Sequence, residues 1–137
     1  MRLTFLYSLL LCSLLACNKD DYDSPTCTAL AGEWTGISWM EDGMQFLGDS
    51  IFLTRSDLHL EPMTDGKGDL EWHLDYILGG PEEITGTYSV NGSCNEITIT
   101  PKPGGVSSTY RVDIHGTRLT LSGDINDVHI ELKFDRN

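Results

Sequence analysis

Nowhere in the 137 residues is there a Gly-x-Ser-x-Gly elbow, a phosphate-binding glycine loop or a dinucleotide fingerprint. No motif therefore supplies a catalytic nucleophile or a nucleotide site. Basic residues are scarce: nine Lys and Arg against 21 Asp and Glu leave a formal net charge of -12. Such a chain repels phosphate backbones, which argues against a nucleic-acid partner. Cysteine is sparse as well, four in all, and no motif surrounds them that would make a metal site or a cysteine nucleophile. After the first 16 residues no apolar run approaches the roughly 20 needed to cross a bilayer as a helix. Amphipathic helical periodicity of useful length is missing too.

What is present begins at the N-terminus. Met1 and Arg2 precede an apolar stretch over 3–15 and the small residue Ala16, the pattern of a secretion signal spanning 1–16. Leu14-Leu15-Ala16-Cys17 resembles the bacterial lipobox, which implies cleavage before Cys17 and a lipid on that cysteine, hence a membrane anchor. Lys19-Asp20-Asp21 resembles the export signal after the lipid cysteine in surface lipoproteins of the Bacteroidetes, so an outer-membrane, surface-exposed location is expected. Residues 17–26 read as an acidic tether and 27–137 as one domain. With Cys12 in the signal and Cys17 lipidated, Cys27 and Cys94 are left to pair in a compartment that permits disulfides.

Within the domain the dominant pattern is alternation, the period of a strand with one buried face. Along 69–78, Leu70, Trp72, Leu74, Tyr76 and Leu78 share one face while Asp69, Glu71, His73 and Asp75 share the other. The pattern recurs through Ile84, Gly86, Tyr88 and Val90; Ile97 and Ile99; Tyr110, Val112 and Ile114; Leu119 and Leu121; and Val128, Ile130, Leu132 and Phe134. Segments 33–40, 45–54 and 57–61 add further strands, and turns are expected at Asp65-Gly66, Gly79-Gly80, Asn91-Gly92, Pro103-Gly104 and Gly123-Asp124. Successive short strands with one apolar face predict an all-β fold, an up-and-down antiparallel β-barrel of about eight strands, with a sandwich as the second choice.

Gly32-x-Trp34 at the start of the first strand and Arg136 at the end of the last resemble the pattern of lipocalins, in particular small lipocalin-like lipoproteins of the Bacteroidetes with a calycin-type barrel. The resemblance implies that Arg136 lies across Trp34 and plugs the closed end of the barrel. With no catalytic or nucleotide motif in the chain, a non-enzymatic protein without cofactor or metal is expected. The lipocalin C-terminal helix is lacking here, so no particular ligand carries over.

The candidate interior comprises Leu70, Trp72, Leu74, Tyr76, Tyr88, Tyr110 and Phe134. In an eight-stranded barrel such residues either fill the lumen or line a small cavity. The first expectation is a cavity for a small apolar or amphipathic ligand; the alternative is a solid barrel whose loops dock a protein or glycan. His59, His73, His115 and His129 fall on the polar faces, where they make no interior metal site. Asn91-Gly92-Ser93 matches a glycosylation sequon without meaning in a bacterium, and Asp49-Ser50-Ile51 is similar to the O-glycosylation acceptor of the Bacteroidetes.

Overall fold

A computed structural model describes residues 21–48 and 52–137. The signal, Cys17, Lys19, Asp20 and the 49–51 tripeptide lie outside the described residues. After a one-turn helix, α1 (Pro25–Thr28), come β1 (Gly32–Glu41), β2 (Met44–Leu47), β3 (Leu53–Leu60), β4 (Lys67–Tyr76), β5 (Gly80–Val90), β6 (Glu96–Lys102), β7 (Ser108–His115), β8 (Arg118–Ile125) and β9 (Val128–Arg136). They form a closed barrel in chain order, each neighbouring pair hydrogen-bonded, with β1 pairing back onto β9 from Trp34↔Arg136 to Glu41↔Ile130. Closure leaves no strand edge free and gives every apolar face one interior. No helix among the described residues is long and apolar enough to cross a membrane.

The barrel has nine strands rather than about eight because β2 is a four-residue insert. Its first half paired with β3 from Gly32↔Leu60 to Thr35↔Asp57, β1 then diverges and pairs with β2. The break expected between segments 45–54 and 57–61 therefore lies elsewhere, between 47 and 53. β2 stops at Leu47, before Gly48 in the left-handed region at φ 105°, and β3 runs unbroken from Leu53 to Leu60. A register shift between Leu53 and Arg55 changes which residues face inward, so the strand shows two adjacent exposed polar residues, Thr54 and Arg55, before Ser56 turns in. That shift hid its continuity in the sequence.

Gly123-Asp124 is likewise not a turn. Both residues lie within β8, and the chain reverses at Asn126 and Asp127, each with positive φ, the geometry of a type I′ hairpin. Gly123 serves close packing instead: a Cβ there would stand 3.0 Å from the Thr109 carbonyl oxygen, so the bare backbone lets β8 curve against β7.

The core is the shared inward face: Leu58 and Leu60, Leu70, Trp72 and Leu74, Tyr88, Ile97 and Ile99, Val112, Leu119 and Leu121, Leu132 and Phe134. Each such side chain contributes about 1.5–3 kcal/mol by leaving water. α1 begins at the Ser24 cap, whose hydroxyl accepts from the Cys27 amide at 3.3 Å, with Pro25 in the first turn. Ordered packing starts before Cys27. Tyr22, the one aromatic in the acidic segment, lies over Gly66, and the Asp21 amide donates to the Gly92 carbonyl at 3.3 Å.

Candidate functional site

The two ends of the barrel are built differently. At the end formed by the start of β1 and the end of β9, Trp34 is 0 % exposed. Its indole N–H donates to the Leu30 carbonyl at 2.9 Å, and the Arg136 guanidinium carbon sits 4.3 Å from the ring centroid. Arg136 also donates to the carbonyls of Ala31, at 3.2 Å, and Ala29, so two of its five N–H groups are held while its face covers the indole. The pair arises from register, since Trp34 and Arg136 stand opposite each other on β1 and β9. α1 lies over this end, with Cys27 and Leu30 fully buried, and the Cys27–Cys94 disulfide ties it to the β5–β6 turn. The bridge spans 67 residues of sequence, for which the chain-entropy relation gives about 4 kcal/mol of stabilisation.

Leu70, Tyr88 and Phe134 pack in this sealed half, each at most 1 % exposed. The Tyr88 hydroxyl donates to the Glu61 carbonyl, and burial, then the nearby Glu61 carboxylate, push its pKa up to about 12. Halfway along the lumen Trp72 donates its indole N–H to Ser56 Oγ at 2.9 Å, stacks on Trp39 with centroids 5.5 Å apart, and meets Phe134 edge-on at 6.3 Å. Tyr110 is buried nearby, its pKa raised by burial.

At the opposite end Leu47 and Leu53 are buried, but the inward side chains Trp39, Ile84, Ile125 and Ile130 are only partly buried. Tyr76, expected in the interior, is 36 % exposed at the rim, and Leu78, expected on the same face, is 98 % exposed. The alternation runs past the end of β4, and beyond Tyr76 no neighbouring strand covers the side chains. Met44, Phe52, Ile77 and Val106 are also exposed around this end, in or beside the turns that join the strands.

Trp39 was not among the sequence candidates. It is five residues from Trp34, an odd spacing that simple alternation assigns to the outer face. A bulge between Gly36 and Ser38 resets the phase, so that Trp39 stands opposite buried Leu132 and faces inward. The same bulge turns Glu41 inward, and Trp39 donates its indole N–H to Glu41 Oε1 at 3.0 Å.

Two further spaces lie on the outer face. An open groove of about 970 Å³ crosses β4, β5 and β6 between Lys67, Glu71, Thr87 and Lys102. A smaller one, about 330 Å³, lies among Glu33, Asp57, His59 and His73. The four histidines sit outside the barrel beside carboxylates, as in His59–Glu61 at 3.0 Å and His115–Asp113 at 3.1 Å. No group of three or more His, Cys, Asp or Glu is placed to hold a metal ion among the described residues.

No protein-family model and no curated protein matches the chain. Solved structures do. A redesigned β barrel matches with a TM-score of 0.59 at 16 % identity over 80 % of this chain and 92 % of its own. A de novo designed fluorescence-activating β barrel gives 0.57 at 14 % identity over 86 % and 98 %. The redesigned barrel mFAP1, bound to DFHBI, gives 0.57 at 16 % identity over 82 % and 100 %. At these identities the likeness carries the fold alone, a closed β-barrel.

Proposed function

We propose that this protein is a non-enzymatic, lipid-anchored lipocalin-like lipoprotein of the bacterial outer membrane, displayed on the cell surface, that takes a small apolar or amphipathic molecule through the open end of its barrel. The observation that carries the reading is the partly exposed apolar cluster at the end away from Trp34. Leu47 and Leu53 are buried there, whereas Trp39, Ile84, Ile125 and Ile130 remain partly exposed around the Trp39–Trp72 stack. Small-molecule sites are lined mostly by apolar and aromatic side chains with a few polar groups. The binding of DFHBI by mFAP1, a barrel of the same fold, supports it.

Anchoring rests on the lipobox resemblance at Cys17 and on Lys19-Asp20-Asp21. Four residues of chain reach at most about 14 Å, and Asp21 is bonded to Gly92 beside the sealed end. A lipid on Cys17 would thus hold that end toward the membrane and turn the mouth away from it. Cys17→Ala should release the protein from membranes, and replacing Lys19, Asp20 and Asp21 with Ala should leave lipidation intact but remove surface accessibility to added protease.

A neutral, polarity-sensitive naphthylamine dye tests the binding reading. It should brighten on the wild-type barrel and lose at least tenfold in affinity when Ile130→Trp fills the mouth. No brightening, or brightening indifferent to that variant, would favour the second reading. In that reading the exposed loop side chains Leu78 and Val106, 98 % and 85 % accessible, dock a protein or glycan partner on a solid barrel.

A further inference from the structure

Most of the large apolar side chains that stay exposed gather on one flank of the barrel mouth. Met44 and Phe46 share the outer face of β2, since Leu47 beside them is turned inward and buried. Phe46 stacks on Phe52 with centroids 4.6 Å apart, and the Ile77 amide donates to the Phe52 carbonyl at 3.0 Å, which brings the β4–β5 turn against the same spot. Leu78 follows in that turn. Ile37, on β1, lies beside the end of β2, where a Cβ on Gly48 would stand 3.7 Å from its carbonyl oxygen. Segments far apart in the chain thus build one contiguous patch on the outside of the wall.

Ile37, Met44, Phe52, Ile77 and Leu78 are each more than a third exposed, and together they present on the order of 500 Å² of mainly apolar surface. Patches of that scale mark contact sites. A standard-size contact takes about 800 Å² from each partner, about two-thirds of it apolar between identical subunits. The patch supplies that share.

Charge decides what can sit on it. The chain carries a formal net charge of -12, so a second copy is repelled wherever carboxylates would face each other. Among the described residues none from Gly43 to Thr54 and none from Tyr76 to Pro81 is charged. Glu41 and Asp42, the acids that precede β2, are turned to other partners, the Trp39 indole N–H and the His129 amide at 2.8 Å. Two copies can therefore meet patch to patch without burying a like-charge pair. A basic partner would find no carboxylate within the patch to meet its charge.

We propose that this patch is a self-association surface, on which a second copy of the chain docks about a two-fold axis, the Met44, Phe52, Ile77 and Leu78 side chains of each copy covering those of the other. Such an isologous contact needs one self-complementary patch and closes at two copies. The inference stands apart from the small-molecule reading, because the patch lies outside the wall and the lumen side chains Trp39 and Trp72 take no part in it.

Sedimentation equilibrium of the chain carrying Cys17→Ala, which removes the lipid site, should follow a monomer–dimer equilibrium. Met44→Lys and Leu78→Lys, each at an exposed position, should leave the unfolding midpoint unchanged and weaken the dimer about tenfold or more. Val106→Lys, which adds the same charge at an exposed position outside the patch, should not weaken it. A monomer at every concentration would overturn the proposal, and so would a dimer indifferent to both patch variants. An equal loss in Val106→Lys would place the contact elsewhere on the rim and overturn it as well. Phosphatidylcholine vesicles provide the remaining arm: a chain that stays monomeric but floats with vesicles, and loses that binding in Leu78→Lys, would make a lipid surface the occupant in place of a second copy.

Discussion

Trp34 and Trp39 lie on the same strand, both facing the lumen, yet one has no exposed surface and the other stays partly open. What differs is the cover. Over Trp34 come Arg136 from the last strand, α1 from the N-terminal segment and the Cys27–Cys94 bridge. Around Trp39, among the described residues, lie Trp72, Leu47 and Leu132, and its indole N–H is bonded to a carboxylate rather than covered by a guanidinium. A barrel needs stability from one end only if that end closes the core completely, and the other is then free to keep apolar surface in contact with water for a ligand. The fold thus sets a closed end and an end with partly exposed apolar side chains apart along one axis.

The contrast can be broken first at Trp34. Trp34→Ala should cost about 3–5 kcal/mol in urea unfolding, as buried aromatic deletions do, whereas Trp39→Ala should cost less than half as much. Equal losses would erase the distinction between the ends. Alkaline pH comes next. The Tyr88 pKa lies near 12 in the folded protein against about 10 when unfolded, so its stabilising share is complete below pH 10 and is lost as pH rises toward 12. Stability should fall across that window, with a shallower fall in Tyr88→Phe. A wild-type stability that is flat over the window would contradict a sealed end around Tyr88.

Arg136→Ala should cost about 0.5–2 kcal/mol, and a double-mutant cycle with Trp34→Ala should return a nonzero coupling, because the two side chains touch. Smallest of all is Leu78→Ser at the rim, expected within about 0.5 kcal/mol of wild type in the same unfolding measurement. A larger loss there would mean that the rim is part of the core.

Alternation made β4 to β9 legible because those strands pair in long unshifted ladders in which inward and outward residues keep their phase. It failed where a bulge resets the phase, at Gly36 to Ser38 and at Leu53 to Arg55, and so missed Trp39 and Glu41 on the inner wall and divided β3 in two. Tyr76 and Leu78 misled for a different reason: Tyr76 is the last residue of β4, at the rim, and Leu78 continues the pattern after the strand has ended. The pairing of Cys27 with Cys94, also expected, is present. Gly123 shows that glycine before aspartate does not make a turn when a neighbouring strand needs the space of a side chain.

The three tryptophans provide the most direct measurement of a barrel sealed at one end and receptive at the other. Each indole N–H gives its own NMR signal, and the three are bonded to different partners: Trp34 to Leu30, Trp39 to Glu41, Trp72 to Ser56. Titration with the neutral naphthylamine dye should shift the Trp39 signal most and Trp72 next, and leave Trp34 in place. A shift of Trp34 comparable to that of Trp39, or no shift in any of the three, would contradict it.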